Sequence, residues 1–342
     1  MNKRRTTFKI SIIIIVFAIL MFSLGLGSFL PIIAYSQLQP PENQGNKDKV
    51  MLTENEFVTS NTSNNKVVIL NFDDSQKSEY TYVKPILDSY GFKATFFEIC
   101  NRMSDRGWKL ITDMKNDGMD IESHTMTHPM LDKISQSQLD YEIGQSKQCF
   151  LDHGVNTTIF SYPFGHGSDN ATVVDTVAKN YYLARTNVYD APPLVRLLCD
   201  VCTSADNGKS ADNGKSTRAD RYAINSWVHK HIEGDYNWLT NTCNSGTCKS
   251  YDNSQMLERF IAYVNSQNSY NQDGKIGAIP IVVYHNIIND TDITNSKNPN
   301  ETTLNLFNAE MKYLHDNGFR VLTMADLRYD ENDKVLYIKS SR

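Results

Sequence analysis

The chain has 342 residues, a formal net charge of −5 at pH 7, 40% apolar and 21% charged residues. That length is ample for one core of barrel size or two modest domains, and the composition is that of an ordinary globular protein rather than a disordered one. The acidic balance argues against a nucleic-acid partner. Tyr is abundant, at 18 residues; strand enrichment accounts for this, although a flat ring with a polar tip also suits sugar binding.

At the N-terminus, Lys3, Arg4 and Arg5 precede an apolar run from about Phe8 to Ile33. This is the order of a positive n-region followed by an h-region. Ala34-Tyr35-Ser36 reads as a small-x-small cleavage site, yet the run is also long enough to span a bilayer. Residues 1–36 are therefore expected to be a signal peptide or an uncleaved membrane anchor. Either one leaves the remainder outside the cytoplasm, secreted or held at the cell surface. Sequons at Asn61, Asn156, Asn170, Asn289 and Asn300 agree with export. Residues 37–65, rich in Gln, Asn, Pro, Ser and Glu and without periodicity, read as a polar linker.

From Lys66 the pattern alternates strand and helix. Strands are expected at 67–72, 94–99, 119–123, 158–162, 181–186, 278–284 and 320–323, with helices at 81–90, 108–116, 135–152, 171–180, 256–267 and 306–317. Gly91, Gly118 and Gly318 stand at helix stops, and Ser135-x-x-Gln138 has the form of a capping box. Repeated β-α units of this number predict an α/β fold, a distorted (β/α) barrel of seven strands in a single catalytic domain over 66–330, with 331–342 as a C-terminal tail. A loop insertion near 199–248 breaks the rhythm; within it, Ala-Asp-Asn-Gly-Lys-Ser occurs twice in succession over 205–216.

The six cysteines are Cys100, Cys149, Cys199, Cys202, Cys243 and Cys248. An even count in an exported chain favours disulfides over a four-thiolate zinc site. The last four are expected to pair among themselves, leaving Cys100 and Cys149 as candidates for buried free thiols.

Four polar motifs follow β-like apolar runs: Asn71-Phe72-Asp73-Asp74-Ser75, Ser123-His124-Thr125-Met126-Thr127-His128-Pro129, Ser161-Tyr162-Pro163-Phe164-Gly165, and Tyr284-His285-Asn286. Polar residues at the ends of successive buried strands are how a β/α barrel builds an active site. His124 and His128, spaced i, i+4, would converge from one face of a helical turn. With a carboxylate they make a two-His, one-acid face with open positions for water and substrate. Asp73 and Asp74, adjacent at a strand end, are costly unless a cation or proton neutralises them; one can ligate while its neighbour acts as a base. His153, His229, His231 and His315 read as structural.

These motifs resemble the polysaccharide deacetylases of the NodB-homology type, carbohydrate esterase family 4, over about residues 66–328. That family's first motif is Thr-Phe-Asp-Asp-Gly, matched at its centre by Phe72-Asp73-Asp74; its second, His-Ser/Thr-x-x-His, is met in full by His124 to His128. The resemblance implies that Asp73 is the general base, that Asp74, His124 and His128 bind one divalent metal, and that His285 is the general acid. The metal would be Zn²⁺, with Co²⁺, Ni²⁺ or Mn²⁺ as alternatives. It also places Tyr162, Pro163 and Phe164 at the substrate and oxyanion, with the backbone N–H of Phe164 as a donor, and Trp227 as a candidate fourth-motif residue lining the substrate. The implied function is removal of acetyl groups, N-acetyl of GlcNAc-type sugars above all, from an extracellular or cell-envelope glycan. Two departures stand out. The arginine that often opens the third motif and pairs with the base is replaced by Ser161, and the glycine closing the first motif is Ser75. They leave open an alternative, a carbohydrate-binding protein that keeps the fold without turnover.

Overall fold

The computed structural model describes residues 65–339, apart from 189–193, 198–220, 235, 238–241, 245, 247 and 292–297. The expected N-terminal segment and linker, the Asn61 sequon, Cys199, Cys202 and the duplicated hexapeptide lie outside the described residues. Among the described residues no helix is long and apolar enough to cross a membrane.

Seven parallel strands form the barrel: β1 (Val67–Asp73), β2 (Thr95–Glu98), β3 (Asp120–Ser123), β4 (Ile159–Ser161), β5 (Leu183–Val188), β6 (Ile224–Val228) and β7 (Ile281–Tyr284). Neighbours pair in chain order, and β7 closes onto β1 with Ile69 opposite Ile281 and Phe72 opposite Tyr284. A short parallel strand, Arg320–Leu322, lies against the lower half of β1.

Side chains alternate across each strand, and the sequence uses both faces. Val68, Leu70 and Phe72 of β1 join Ile121, Val282 and Tyr284 in a core shared with the surrounding helices, including Leu87, Trp108, Phe260 and Phe307. The opposite set, Val67, Ile69, Phe97, Ile159, Leu183, Ile224 and Ile281, forms a second core, the apolar plug of the barrel. Each such side chain contributes about 1.5–3 kcal/mol by leaving water. Two residues further along the inward positions the chemistry turns polar: Asp73 lies four residues beyond Ile69, Ser161 two beyond Ile159, Arg185 two beyond Leu183 and Ser226 two beyond Ile224. The plug is thus a floor, and the polar residues stand on it.

Three expectations are corrected. Ile224–Val228, within the stretch near 199–248 expected to be a loop insertion, is a strand of the barrel. The domain also continues beyond 330. Val335–Ile338 pairs antiparallel with Leu327–Asp330, and Leu336 is fully buried in the plug. Cys100 and Cys149 are not free thiols but a disulfide; Cys243 and Cys248 form another.

At the base of the barrel, Asp120 Oδ2 accepts from Thr95 Oγ1 at 2.9 Å and from the Ala325 N–H at 3.1 Å, tying β2 and β3 to the C-terminal segment. Burial outweighs these bonds and pushes the Asp120 carboxyl up to about 6. The folded protein therefore holds more protons than the unfolded chain between about pH 4 and pH 6, and this group's contribution to stability falls as pH rises through that window. Asp120→Asn keeps the acceptor oxygen and removes the buried charge. It is expected to stabilise the protein by roughly 1–2 kcal/mol at pH 8 and by little at pH 4, measured by denaturant unfolding at both pH values. A variant less stable than wild type at pH 8 would contradict this account.

Candidate active site

The site is built at the C-terminal ends of the strands. Asp73 ends β1 on the inward face and is fully buried. The chain then turns through Asp74 (φ 83°) and Ser75 (φ 56°), and this left-handed turn separates the directions of the two adjacent carboxylates. The turn is tied down on both sides. Ser75 Oγ accepts from the Ile99 N–H at 2.8 Å, and Arg102 donates to the Asp74 carbonyl at 3.0 Å. Ser75 thus gives up the ease with which glycine takes positive φ and gains a bond to the end of β2.

His124 follows β3, its N–H bonded to the Glu98 carbonyl at 2.8 Å. The expected helical turn between the two histidines is absent. Thr125 (φ 72°) and His128 (φ 68°) are left-handed instead, and Thr125 Oγ1 accepts from the His128 N–H at 2.8 Å. The loop brings the imidazoles together all the same. The two Nε2 atoms are 3.1 Å apart, and they lie 3.6 Å (His124) and 3.1 Å (His128) from Asp74 Oδ1.

The tautomer of His124 follows from its other nitrogen. Nδ1 is 2.8 Å from the Ser161 carbonyl, which can only accept, so Nδ1 carries the proton and Nε2 turns a lone pair to the centre. Burial, opposed by the Asp73 charge, lowers the His124 pKa to about 4, so the ring is neutral at pH 7. Burial alone would push the Asp74 carboxyl up. The hydrogen bond from His128 and the charges of His285, His124 and His128 outweigh it and hold that carboxyl well below the usual carboxylate range. A bare nitrogen, a second imidazole and a carboxylate oxygen, all within 4.8 Å of one another, fit a divalent cation bound by nitrogen and oxygen.

Sequence reasoning missed the partner of Asp73. Arg185 of β5, fully buried, donates from Nη2 to Asp73 Oδ2 at 2.5 Å and also to Ser161 Oγ, while Nη1 bonds Ser226 Oγ at 3.0 Å and Asn187 Oδ1. Its guanidinium lies over the Phe97 ring, 4.8 Å from the centroid. Ser161 and Arg185 are directly opposite one another across β4 and β5. The cation missing from the third motif is therefore supplied one strand away at the same level. A charged residue in the apolar alternation Leu183-x-Arg185 was the available signal.

Of the other expected residues, His285 follows β7 and acts electrostatically on Asp74; its Nδ1 is buried without a hydrogen-bond partner. Pro163 opens a tight turn, Pro163–Gly165, in which Phe164 is left-handed (φ 58°) and sets its ring 4.5 Å from that of His128. Gly165 (φ 74°) is required there, since a Cβ would meet the Asn187 carbonyl at 3.3 Å. Two side chains face elsewhere. Tyr162 is fully buried in the outer core with Phe160 and Val173, leaving only its backbone near the site. Trp227 does not line a substrate surface: it is 1% exposed and packs against Tyr263 and His229, because the inward position on β6 belongs to Ser226. His229 is structural, held by Glu310 at 2.8 Å and Thr302 at 2.9 Å.

Comparison with known proteins agrees with this geometry. Residues 60–183 match the family model for polysaccharide deacetylase. YxkH, a polysaccharide deacetylase homologue of Bacillus subtilis, is 35% identical over 105 residues, covering 29% of this chain and 37% of that protein. A peptidoglycan-N-acetylglucosamine deacetylase of Bacillus cereus is 31% identical over 115 residues, covering 33% of this chain and 54% of that protein. The chain thus spans about half the length of these relatives or less. Among solved structures, a family 4 acetyl xylan esterase from Clostridium thermocellum in complex with a cobalt ion aligns with a TM-score of 0.45 at 16% identity, over 76% of this chain and 89% of that one. Over its matched segment the chain is similar to the polysaccharide deacetylases.

The converging trio predicts that purified protein holds one divalent cation per chain. His124→Ala is expected to lower occupancy at least tenfold by elemental analysis, since two remaining ligands hold a cation poorly. Full occupancy in that variant would remove His124 from the ligand set.

Proposed function

We propose that this chain is a metal-dependent hydrolase that removes acetyl groups, N-acetyl of GlcNAc-type sugars first, from a cell-envelope polysaccharide outside the cytoplasm. The observation that carries the reading is the clamped carboxylate. Asp73 is fixed by Arg185 at Oδ2, which lies 3.8 Å from His124 Nε2 of the Asp74–His124–His128 trio, while Oδ1 is buried with no hydrogen-bond partner. The likeness to deacetylases of two Bacillus species supports a deacetylase, and the disulfides support export.

Asp74, His124 and His128 would hold the cation, Zn²⁺ or a similar ion, which when bound polarises the acetyl carbonyl and acidifies water. Asp73 Oδ1 takes the proton of the attacking water. Arg185 holds that carboxylate in place, so it is a positioning residue. The backbone N–H of Phe164 would help hold the developing oxyanion; such a donor is typically worth about 3 kcal/mol. His285 gives a proton to the departing amine, which otherwise leaves poorly. With Arg185 in the role left vacant at Ser161, and Ser75 bonded in place of glycine, neither departure from the family pattern favours a binding-only protein.

Acetate release from peptidoglycan, chitooligosaccharides and acetylxylan, before and after chelation and metal return, tests the reading; no release from any of them with metal bound would overturn it. Asp73→Asn is expected to keep its metal and lose turnover about 10²–10⁴-fold. His285→Ala should slow amide cleavage far more than cleavage of an activated acetyl ester, whose leaving group needs no proton. Equal losses on both substrates would make His285 a packing residue.

A further inference from the structure

We infer that Glu142 is the residue that sets the metal-binding loop in its working shape before any cation arrives; the inference rests on Asp74, His124 and His128 being the metal site. Glu142 is 5% exposed and lies in a single π-helical turn, Asp140–Gln145, inside an otherwise α-helical stretch. Such turns are found mostly where a helix is locally deformed for function. Its carboxylate reaches the middle of the histidine loop. Oε2 accepts from the Met126 N–H at 3.1 Å and the Thr127 N–H at 2.8 Å, and Oε1 accepts from Thr127 Oγ1 at 2.6 Å.

The loop needs such a hold. Thr125 and His128 both sit at positive φ, and Thr125 is β-branched, the type that tolerates this least. Conformations of this kind cost about 1–3 kcal/mol each and persist only when their surroundings over-determine them. The Cys100 and Asn101 N–H groups fix the Thr125 and Met126 carbonyls from one side, at 3.2 Å and 3.0 Å. Glu142 fixes the N–H groups of Met126 and Thr127 from the other. The peptides between the two histidines are therefore gripped on both edges, with the carboxylate as the charged, stronger grip. Glu142 has no bond to either imidazole, so it acts through the backbone.

The experiment is a chelator-competition measurement of Co²⁺ and Zn²⁺ dissociation constants on the full chain, with thermal unfolding of the metal-free proteins alongside. Glu142→Ala is expected to raise the dissociation constant 10–100-fold, the usual scale for loss of a group that orients ligands, and to disturb the visible Co²⁺ spectrum. Glu142→Gln, which retains one acceptor oxygen, should restore most of the affinity. A folded Glu142→Ala protein with wild-type affinity and spectrum overturns the inference. Should that variant fail to fold, Thr127→Val, which removes only the hydroxyl contact, is expected to weaken binding about three- to tenfold, and unchanged affinity there overturns the inference instead. Wild-type protein that binds no metal would instead refute the metal site itself, a separate failure.

Discussion

Closure of the barrel is the constraint on which the site depends. β7 pairs with β1 in a register that sets Phe72 against Tyr284, so Asp73 and His285, the next residue on each chain, leave the barrel at one level. The ring then fixes the remaining heights. Asp73 faces Phe97, Ser123 faces Phe160 and Ser161 faces Arg185 across successive strand pairs. Arg185 offsets part of the cost of burying polar groups there, bonding Asp73, Ser161 and Ser226 across the lumen.

Charge decides how that lumen can be used. Asp73, Asp74, Glu79 and Glu98 stand close together, with Arg185 the buried cation among them. Burial first, then the charge of Glu98, pushes the Glu79 carboxyl up, and burial likewise raises Glu98. Arg185 balances Asp73. Asp74 has no arginine or lysine of its own and lies among imidazoles instead, 3.6 Å from His124 Nε2 and 3.1 Å from His128 Nε2. It is directed at the two histidine nitrogens, where a divalent cation would complete the balance.

Much of this was legible in the chain. Apolar runs ending in Asp73-Asp74, His124, Ser161 and His285 announce strand ends, and repeated units announce a barrel. What stayed hidden depends on distance in sequence or on backbone detail. Arg185 stands out locally as a charge in a strand, but its pairing with Asp73 and Ser161 depends on a strand register that the sequence does not give. β6 is short and lies in sequence between two cysteine pairs, so its apolar residues, Ile224, Trp227 and Val228, gave little period to read. Trp227 looked like a sugar platform because the inward or outward sense of a strand cannot be fixed until its neighbours are placed. The histidine loop suggested a helical turn from its spacing alone, whereas Thr125 and His128 adopt conformations that their residue types disfavour and only tertiary bonds impose.

The opposition of Ser161 and Arg185 has a consequence for how such sites diversify. On a closed ring of staves, a side chain's address is its height and its bearing around the axis, not its place in a motif. A guanidinium reaches far enough that two adjacent staves at one height offer almost the same address. An arginine gained on one stave makes its counterpart on the next redundant, and that counterpart can then drift to a small residue such as serine, whose hydroxyl still accepts a bond from the newcomer. A search by motif would score the result as a broken site, while the barrel itself registers no change.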